Sequence, residues 1–354
     1  MRKILALFLL IPFFGNSQPL REVSHSAQSS AQAGNPNSRH LLKMHPSIPA
    51  DTSFNIHSEF RKQIKYYPHI TLAETDTTRV TVFHNLVYGR IKNRKLHLDL
   101  FAPATSPGNM REQPLPVVLL IHGGGWRSGD KSMDWPLAAA LAHKGFITVC
   151  AEYRLSMEAP YPAAVTDLKT AIRWIREKGA KYGADPSRIA LMGTSAGGQL
   201  AALIGTLNDK DDLFPVKRMK RISGKVQAVV DIDGILAFIH PESGEGADRP
   251  GKPSAATHWF GGNSTEKREL WLQASPLSHP HPGTAPFLFI NSSQPRFHAG
   301  RDDFAARLDS MGIPCEFKTL ENTPHTFWLF NPWFPEVISL TTGFLERMLR
   351  PEGE

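Results

Sequence analysis

The stretch that most constrains this chain is Arg188-Ile-Ala-Leu-Met-Gly-Thr-Ser-Ala-Gly-Gly-Gln-Leu-Ala-Ala202. Ile189 to Met192 is an apolar run of strand length, and Gln199 to Leu203, rich in Ala and Leu, reads as a helix. Between them lies Gly193-Thr194-Ser195-Ala196-Gly197, a G-x-S-x-G turn in the setting of strand, sharp turn and helix. That setting lifts the Ser195 hydroxyl above the end of a sheet. Side chains at 193 and 197 would meet the neighbouring strand and helix, so both positions call for glycine. The helix start behind Ser195 adds a positive dipole end, and the Ala196 N–H is placed to donate to an oxyanion.

A second motif precedes the first. Val117-Val-Leu-Leu-Ile-His-Gly-Gly-Gly-Trp126 is an apolar strand that runs into His122-Gly123-Gly124-Gly125. Successive glycines let the Gly124 and Gly125 N–H groups approach a tetrahedral oxyanion. Either motif alone reads equally well as a flexible glycine turn. The two together, in this order and each after a strand, read as nucleophile and oxyanion loop.

Around them, apolar and helical segments alternate. Strands are expected at 79–83, 95–101, 117–121, 145–155, 189–192, 225–234, 285–291 and 315–320, with helices near 134–144, from 163 to about 179, 199–203, 301–311 and 337–349. The first two strands open the sheet antiparallel, and the later alternation implies an α/β fold: an eight-stranded, mostly parallel sheet with helices on both faces. After the sixth strand, residues 235–277 are polar, carry Gly and Pro, and are too long for a simple connection, which predicts a cap-like insertion or substrate wall.

The ends of the chain and its composition set further limits. Met1-Arg2-Lys3, the apolar run Ile4 to Phe14 and the small residues near Ser17 predict a signal peptide over 1–17, and with it a periplasmic or secreted protein. Residues 18–78 read as a partly disordered N-terminal extension and 79–354 as the catalytic domain. No other segment is apolar over enough length to span a bilayer. The 354 residues carry a net charge of +7, which leaves room for an anionic partner. No helix-turn-helix, zinc-finger or aromatic–basic motif points to nucleic acid. Cys150 and Cys315 read as two buried thiols rather than a disulfide. His279-Pro-His281 has no nearby carboxylate, so no metal is expected, and no cofactor is implied.

Catalysis by a serine needs a base and an orienting acid. His325, in the loop after the last strand, is the expected base. The acid is harder to place. The loop after the seventh strand, Asn291-Ser-Ser-Gln-Pro-Arg-Phe-His-Ala-Gly-Arg, holds none. Asp302 is the expected acid, with Asp233, at the end of the sixth strand, next. Asp303 shares the helix start with Asp302, where either reads equally well as a capping residue. Asp231 ranks below Asp233. Without any of them, a dyad assisted by Asn291 remains.

These motifs resemble those of α/β-hydrolase serine esterases of the hormone-sensitive-lipase and carbohydrate-esterase type, in the feruloyl-esterase-like group. The residues that carry the resemblance are His122-Gly-Gly-Gly-Trp, Asp185-Pro-Ser-Arg-Ile, Gly193-Thr-Ser-Ala-Gly-Gly and Pro324-His, across roughly 79 to 349. Asp231-Ile-Asp-Gly-Ile-Leu-Ala-Phe, Trp259-Phe-Gly-Gly, Pro295-Arg-Phe-His-Ala-Gly-Arg-Asp and Pro324-His-Thr-Phe-Trp-Leu-Phe are similar to segments of secreted bacterial pectin acetylesterases. The resemblance implies deacetylation of plant-polysaccharide sugars. A methylesterase, a serine peptidase and an inactive binding module are the competing readings. Arg296, His298 and Arg301 are the expected substrate-binding residues, suited to a carboxylate on an acetylated or methyl-esterified polysaccharide or oligosaccharide. Trp259, Trp271, Trp328 and Trp333 offer faces for sugar rings or, equally, for the core.

Overall fold

Strands with no polar face end up in the middle of a sheet covered on both sides. Leu115–Ile121 is such a strand, buried from Pro116 onward, and the rest of the sheet is built outward from it. In a computed structural model of the protein, residues 51, 53–104, 113–208, 210–216, 219 and 221–349 are described. The expected signal peptide and residues 18–50 of the expected extension lie outside the described residues.

In chain order the elements begin with α1 (Ile56–Gln63), β1 (Thr71–Leu72), β2 (Val80–Ile91), β3 (Arg94–Pro103), β4 (Leu115–Ile121), α2 (Trp135–His143) and β5 (Ile147–Ala151). Next come α3 (Ala163–Lys178), β6 (Ala184–Thr194), α4 (Ala196–Leu207), β7 (Ala228–Ile232), α5 (Ala255–Phe260) and α6 (Arg268–Gln273). The chain continues with β8 (Phe287–Ser292), α7 (Arg301–Ser310), β9 (Cys315–Leu320), β10 (Phe330–Asn331) and α8 (Phe334–Leu349). The main sheet has eight strands in the order β2-β3-β5-β4-β6-β7-β8-β9. Pairing is antiparallel for β2 with β3 and β3 with β5, and parallel from β5 across to β9. All eight expected strands are present.

Successive residues of a strand point to opposite faces, and the core divides accordingly. Leu119, Leu191, Val229 and Phe289 face α3 and α4, where Leu168 and Leu200 meet them. Val118, Leu120, Met192 and Val230 face α2 and α8, where Leu137 and Phe344 meet them. Because β4 to β9 run the same way, their carboxyl ends share one edge of the sheet. The loops that follow Ile121, Thr194 and Ile232 all open there, the usual place for a site in such a sheet.

Two features were not expected. The segment before residue 79 is part of this fold: Phe54, Ile56, Phe60, Ile64, Tyr67 and Leu72 pack against the second cluster, and β1 pairs with β10. The long insertion after β7 holds two short helices, and its aromatic side chains turn inward. Trp259 stacks on Trp126 at 4.9 Å and tilts against Phe260, which packs on Trp271. Trp259, Trp271 and Trp328 are buried, so core packing, not a sugar face, accounts for them. Trp333 sets its edge against Tyr67. The two cysteines are free; Cys150 is buried, whereas Cys315, on the edge strand β9, is half-buried.

Candidate active site

The turn from β6 into α4 is sterically fixed. Ser195 has φ 53° and ψ −119°, a conformation side chains rarely adopt. A Cβ at Gly193 would lie 2.1 Å from the Gly197 carbonyl oxygen, and one at Gly197 would lie 1.9 Å from that of Ile121. Only glycine fits at either place. The Ser195 N–H donates to the Ile232 carbonyl at 2.7 Å, tying the turn to the neighbouring strand.

His325 sits in the loop after β9. Its Nε2 lies 2.9 Å from Ser195 Oγ and its Nδ1 lies 2.9 Å from Asp233 Oδ2. Phe297 stacks flat on the imidazole, with ring centroids 3.4 Å apart, and Trp328 meets it edge-on at 5.3 Å. These contacts leave the ring little freedom to turn.

Asp233 follows β7 directly, with a left-handed φ of 51°, and is 1% exposed. A buried carboxylate needs donors on both oxygens. Ser292 N–H (2.7 Å) and Asn291 Nδ2 (3.5 Å) donate to Oδ1; Ser292 Oγ–H (2.7 Å) and His325 donate to Oδ2. The end of β8, which lacks an acid, thus supplies donors to a carboxylate on the adjacent strand.

Asp302, the expected acid, does not face His325. Its side chain is 73% exposed and pairs with Arg301 at 2.8 Å, which holds its carboxyl below the usual range. Asp303 faces His240 at 3.3 Å. The helix start that makes α7 a good place for acidic residues points them toward solvent and cations. Asp231 is buried beneath the turn, where burial pushes its carboxyl well up, and accepts the Gly234 N–H at 2.7 Å.

The loop His122-Gly123-Gly124-Gly125 follows β4. Gly124 has φ 121° and Gly125 φ 58°, both left-handed. The Gly124 carbonyl is held by Ser128 N–H at 3.0 Å and Ser128 Oγ–H at 2.9 Å. Among the described residues, no acceptor is bonded to the N–H of Gly124, Gly125 or Ala196. The loop is anchored from beneath by the buried His122, whose Nδ1 lies 2.8 Å from the Gly123 carbonyl and whose ring stacks on Tyr153. Burial holds the His122 pKa down. The sequence reading gave His122 no task of its own.

Ser195, His325, Gly124 and Gly125 line a cleft of about 680 Å³. Arg296 lines it too. Arg301 and His298 do not. Arg301 is buried, with Nη1 donating to Asn291 Oδ1 at 3.0 Å and Nε to Asp302, so it braces the loop after β8. His298 is buried beside it, and burial, then Arg301, hold its pKa down. Of the insertion after β7, only Ala255 reaches the cleft. The opposite wall comes from the segment before residue 79, which carries Phe54, Glu59, Lys62 and Tyr66. A capping pattern, Asn55-x-x-Ser58, marks the helix there and is the signal that could have found it. His279 and His281 each place Nε2 on a backbone carbonyl, and no metal-binding cluster occurs among the described residues.

Residues 98–297 match the model of the BD-FAE family. The carboxylesterase NlhH of Mycobacterium tuberculosis is 47% identical over 94 residues, 26% of this chain and 30% of that protein. The versiconal hemiacetal acetate esterase of Dothistroma septosporum is 26% identical over 260 residues, 68% of this chain and 73% of that one. The chain spans only about a quarter to a half of the length of most curated relatives it matches. Among solved structures, an esterase from the Planctomycetes species Thermogutta terrifontis with propionate bound covers 78% of this chain and 98% of its own, with a TM-score of 0.61 at 25% identity. The architecture is the α/β-hydrolase fold.

Proposed function

The chain belongs to the BD-FAE family, and on that premise we propose that it is a secreted serine carboxylic-ester hydrolase that deacetylates plant-polysaccharide sugars of the pectin type. The observation that carries the proposal is the unbroken relay from Ser195 Oγ through His325 to Asp233, with both hydrogen-bonded contacts at 2.9 Å. Ser195 Oγ attacks the acetyl carbonyl carbon while its proton passes to His325 Nε2. Asp233 keeps the other proton on Nδ1 and stabilises the imidazolium. The developing oxyanion takes hydrogen bonds from the N–H groups of Gly124, Gly125 and Ala196, none of which has an acceptor among the described residues. Collapse of the tetrahedral intermediate expels the sugar oxygen, which takes the proton back from His325, and leaves acetyl-Ser195. Water, deprotonated by His325, then attacks the acyl-enzyme, and acetate leaves as Ser195 regains its proton.

A small acyl group is supported by the relative named for an acetate ester and by the esterase solved with propionate. The sugar part rests on the sequence motifs around Trp259, Pro295 and Pro324 and on the cations of the cleft. Export rests on the basic and apolar N-terminal residues.

The test is release of acetate and methanol from acetylated, methylated pectin by wild type and Ser195→Ala. Acetate from wild type alone is the expected result. Methanol in its place would replace the deacetylase with a methylesterase. Neither product, with p-nitrophenyl acetate also untouched, would remove the esterase reading altogether.

A further inference from the structure

The cleft also holds charges that the acyl transfer does not use. Among the described residues, Lys62, Arg127 and Arg296 line it, against a single lining carboxylate, Glu59. Glu59 already accepts from Lys62 Nζ at 3.4 Å, Gln63 Nε2 at 3.5 Å and Thr326 Oγ1 at 3.4 Å. Among the described residues Arg127 pairs with Asp51 at 3.5 Å and also acts on the Glu245 carboxylate. Arg296 lies with its guanidinium 4.3 Å above the Phe297 ring, and the same ring stacks on His325. Among the described residues no carboxylate lies within 4.0 Å of the Arg296 guanidinium, and no hydrogen bond engages it. Glu245, pushed up by its burial, feels the charges of both Arg296 and Arg127, so the two cations approach one wall.

The segment that carries Lys62 is fastened to both catalytic loops. Asp51 bridges to Ser128 in the oxyanion loop, and Glu59 meets Thr326, the residue after His325. A reciprocal cap between Asn55 and Ser58 fixes the start of α1. Lys62 is therefore held at the edge of the reacting centre. Tyr66 beside it is 75% exposed and gives the rim an aromatic face.

We propose that Lys62, Arg127 and Arg296 form a carboxylate-binding subsite that selects esters of negatively charged, uronate-type sugars. The proposal rests on the deacetylase reading and extends it to two residues, Lys62 and Arg127, that the sequence left unassigned. The physical reason is the free donor edge of Arg296. A guanidinium stacked on an aromatic ring, with no carboxylate within 4.0 Å among the described residues, offers its N–H fork to a planar carboxylate. Lys62 and Arg127 raise the local positive potential and draw the anion into the cleft.

The experiment compares kcat/KM for an acetylated methyl galacturonide with that for the matched acetylated methyl galactoside, which replaces the carboxylate by a hydroxymethyl group. It is run on wild type, Arg296→Gln and Lys62→Gln/Arg127→Gln, with p-nitrophenyl acetate as an uncharged reference. Reading the ratio of the two sugar esters within each variant cancels any general loss of activity. Wild type is expected to favour the uronate by about tenfold or more, the size of one charge-assisted hydrogen-bonded pair. The ratio falls toward unity in Arg296→Gln, falls partway in the double variant, and shrinks with added salt. A wild-type ratio near unity overturns the subsite, as does a ratio that neither variant changes; continued hydrolysis of p-nitrophenyl acetate then leaves the esterase reading standing. If that ester is also untouched, the esterase reading fails and the subsite fails with it.

Discussion

Replacing Asp233 by Asn changes almost nothing in shape and turns the acceptor facing His325 and Ser292 Oγ into a donor. Asp233 Oδ1 accepts the Ser292 backbone N–H at 2.7 Å, and that donor cannot turn. In Asp233→Asn the side-chain carbonyl therefore stays on Ser292, and the amide NH₂ takes the place of Oδ2, 2.9 Å from His325 Nδ1. Two donors cannot face each other there, so His325 must carry its proton on Nε2. An Nε2–H cannot accept the Ser195 proton. A wrong tautomer of this kind lowers kcat by about 10⁴-fold in a serine triad, equivalent to about 5.5 kcal/mol in the barrier. Asp302→Asn, by contrast, removes an exposed carboxylate paired only with Arg301, and less than about a twofold change is expected. Steady-state hydrolysis of p-nitrophenyl acetate, with thermal unfolding of each variant to establish folding, makes the comparison. A folded Asp233→Asn enzyme with near wild-type kcat, or an Asp302→Asn enzyme that loses a thousandfold or more, would refute the reasoning.

Three other perturbations follow from the same geometry. Gly197→Ala forces a Cβ to within 1.9 Å of the Ile121 carbonyl oxygen and should cost about 3 kcal/mol, read as a lower denaturant midpoint. Phe297→Leu removes the ring stacked on His325 and should lower kcat about two- to tenfold with KM little changed, while Phe297→Tyr restores it; equal kcat in the Leu variant would show that the stack does not orient the imidazole. Asp231 has its folded pKa raised by burial first and by Asp233 next, so its share of stability is complete at low pH and is lost as pH rises through the folded value. The melting temperature of Asp231→Asn relative to wild type should therefore climb as pH rises above the free carboxylate's value of about 4, and a pH-independent offset would contradict this.

The order of strands and helices was legible because the central strands are apolar on both faces, α3 and α8 are apolar on one, and α4 is apolar nearly all round. Ser195 and the oxyanion loop were legible for a related reason. Their glycines occupy places where a Cβ would overlap backbone, so the motif records a steric need. The acid was not legible. Asp231, Asp233, Asp302 and Asp303 all stand at element ends, and which one meets His325 depends on strand register. Ser292 and Asn291 complete the answer as donors, yet nothing in their own sequence marks them as partners of Asp233. Arg301 turns inward, bracing the loop after β8 through Asn291 and pairing with Asp302, and nothing in its own sequence marks these partners. The wall from Ser53 to Tyr67 was missed because its one helix, anchored by Glu59 to Thr326, is only eight residues long and mostly polar, IHSEFRKQ, so it does not stand out from an extension.

The central claim is that Ser195 performs the ester hydrolysis. It is tested most directly by reacting the protein with a fluorophosphonate, mapping the label by peptide mass spectrometry and following p-nitrophenyl acetate hydrolysis in the same samples. The account predicts one label, on Ser195, gained in step with the loss of activity, and neither label nor activity in Ser195→Ala. Hydrolysis that persists in the fully labelled protein or in folded Ser195→Ala would contradict it.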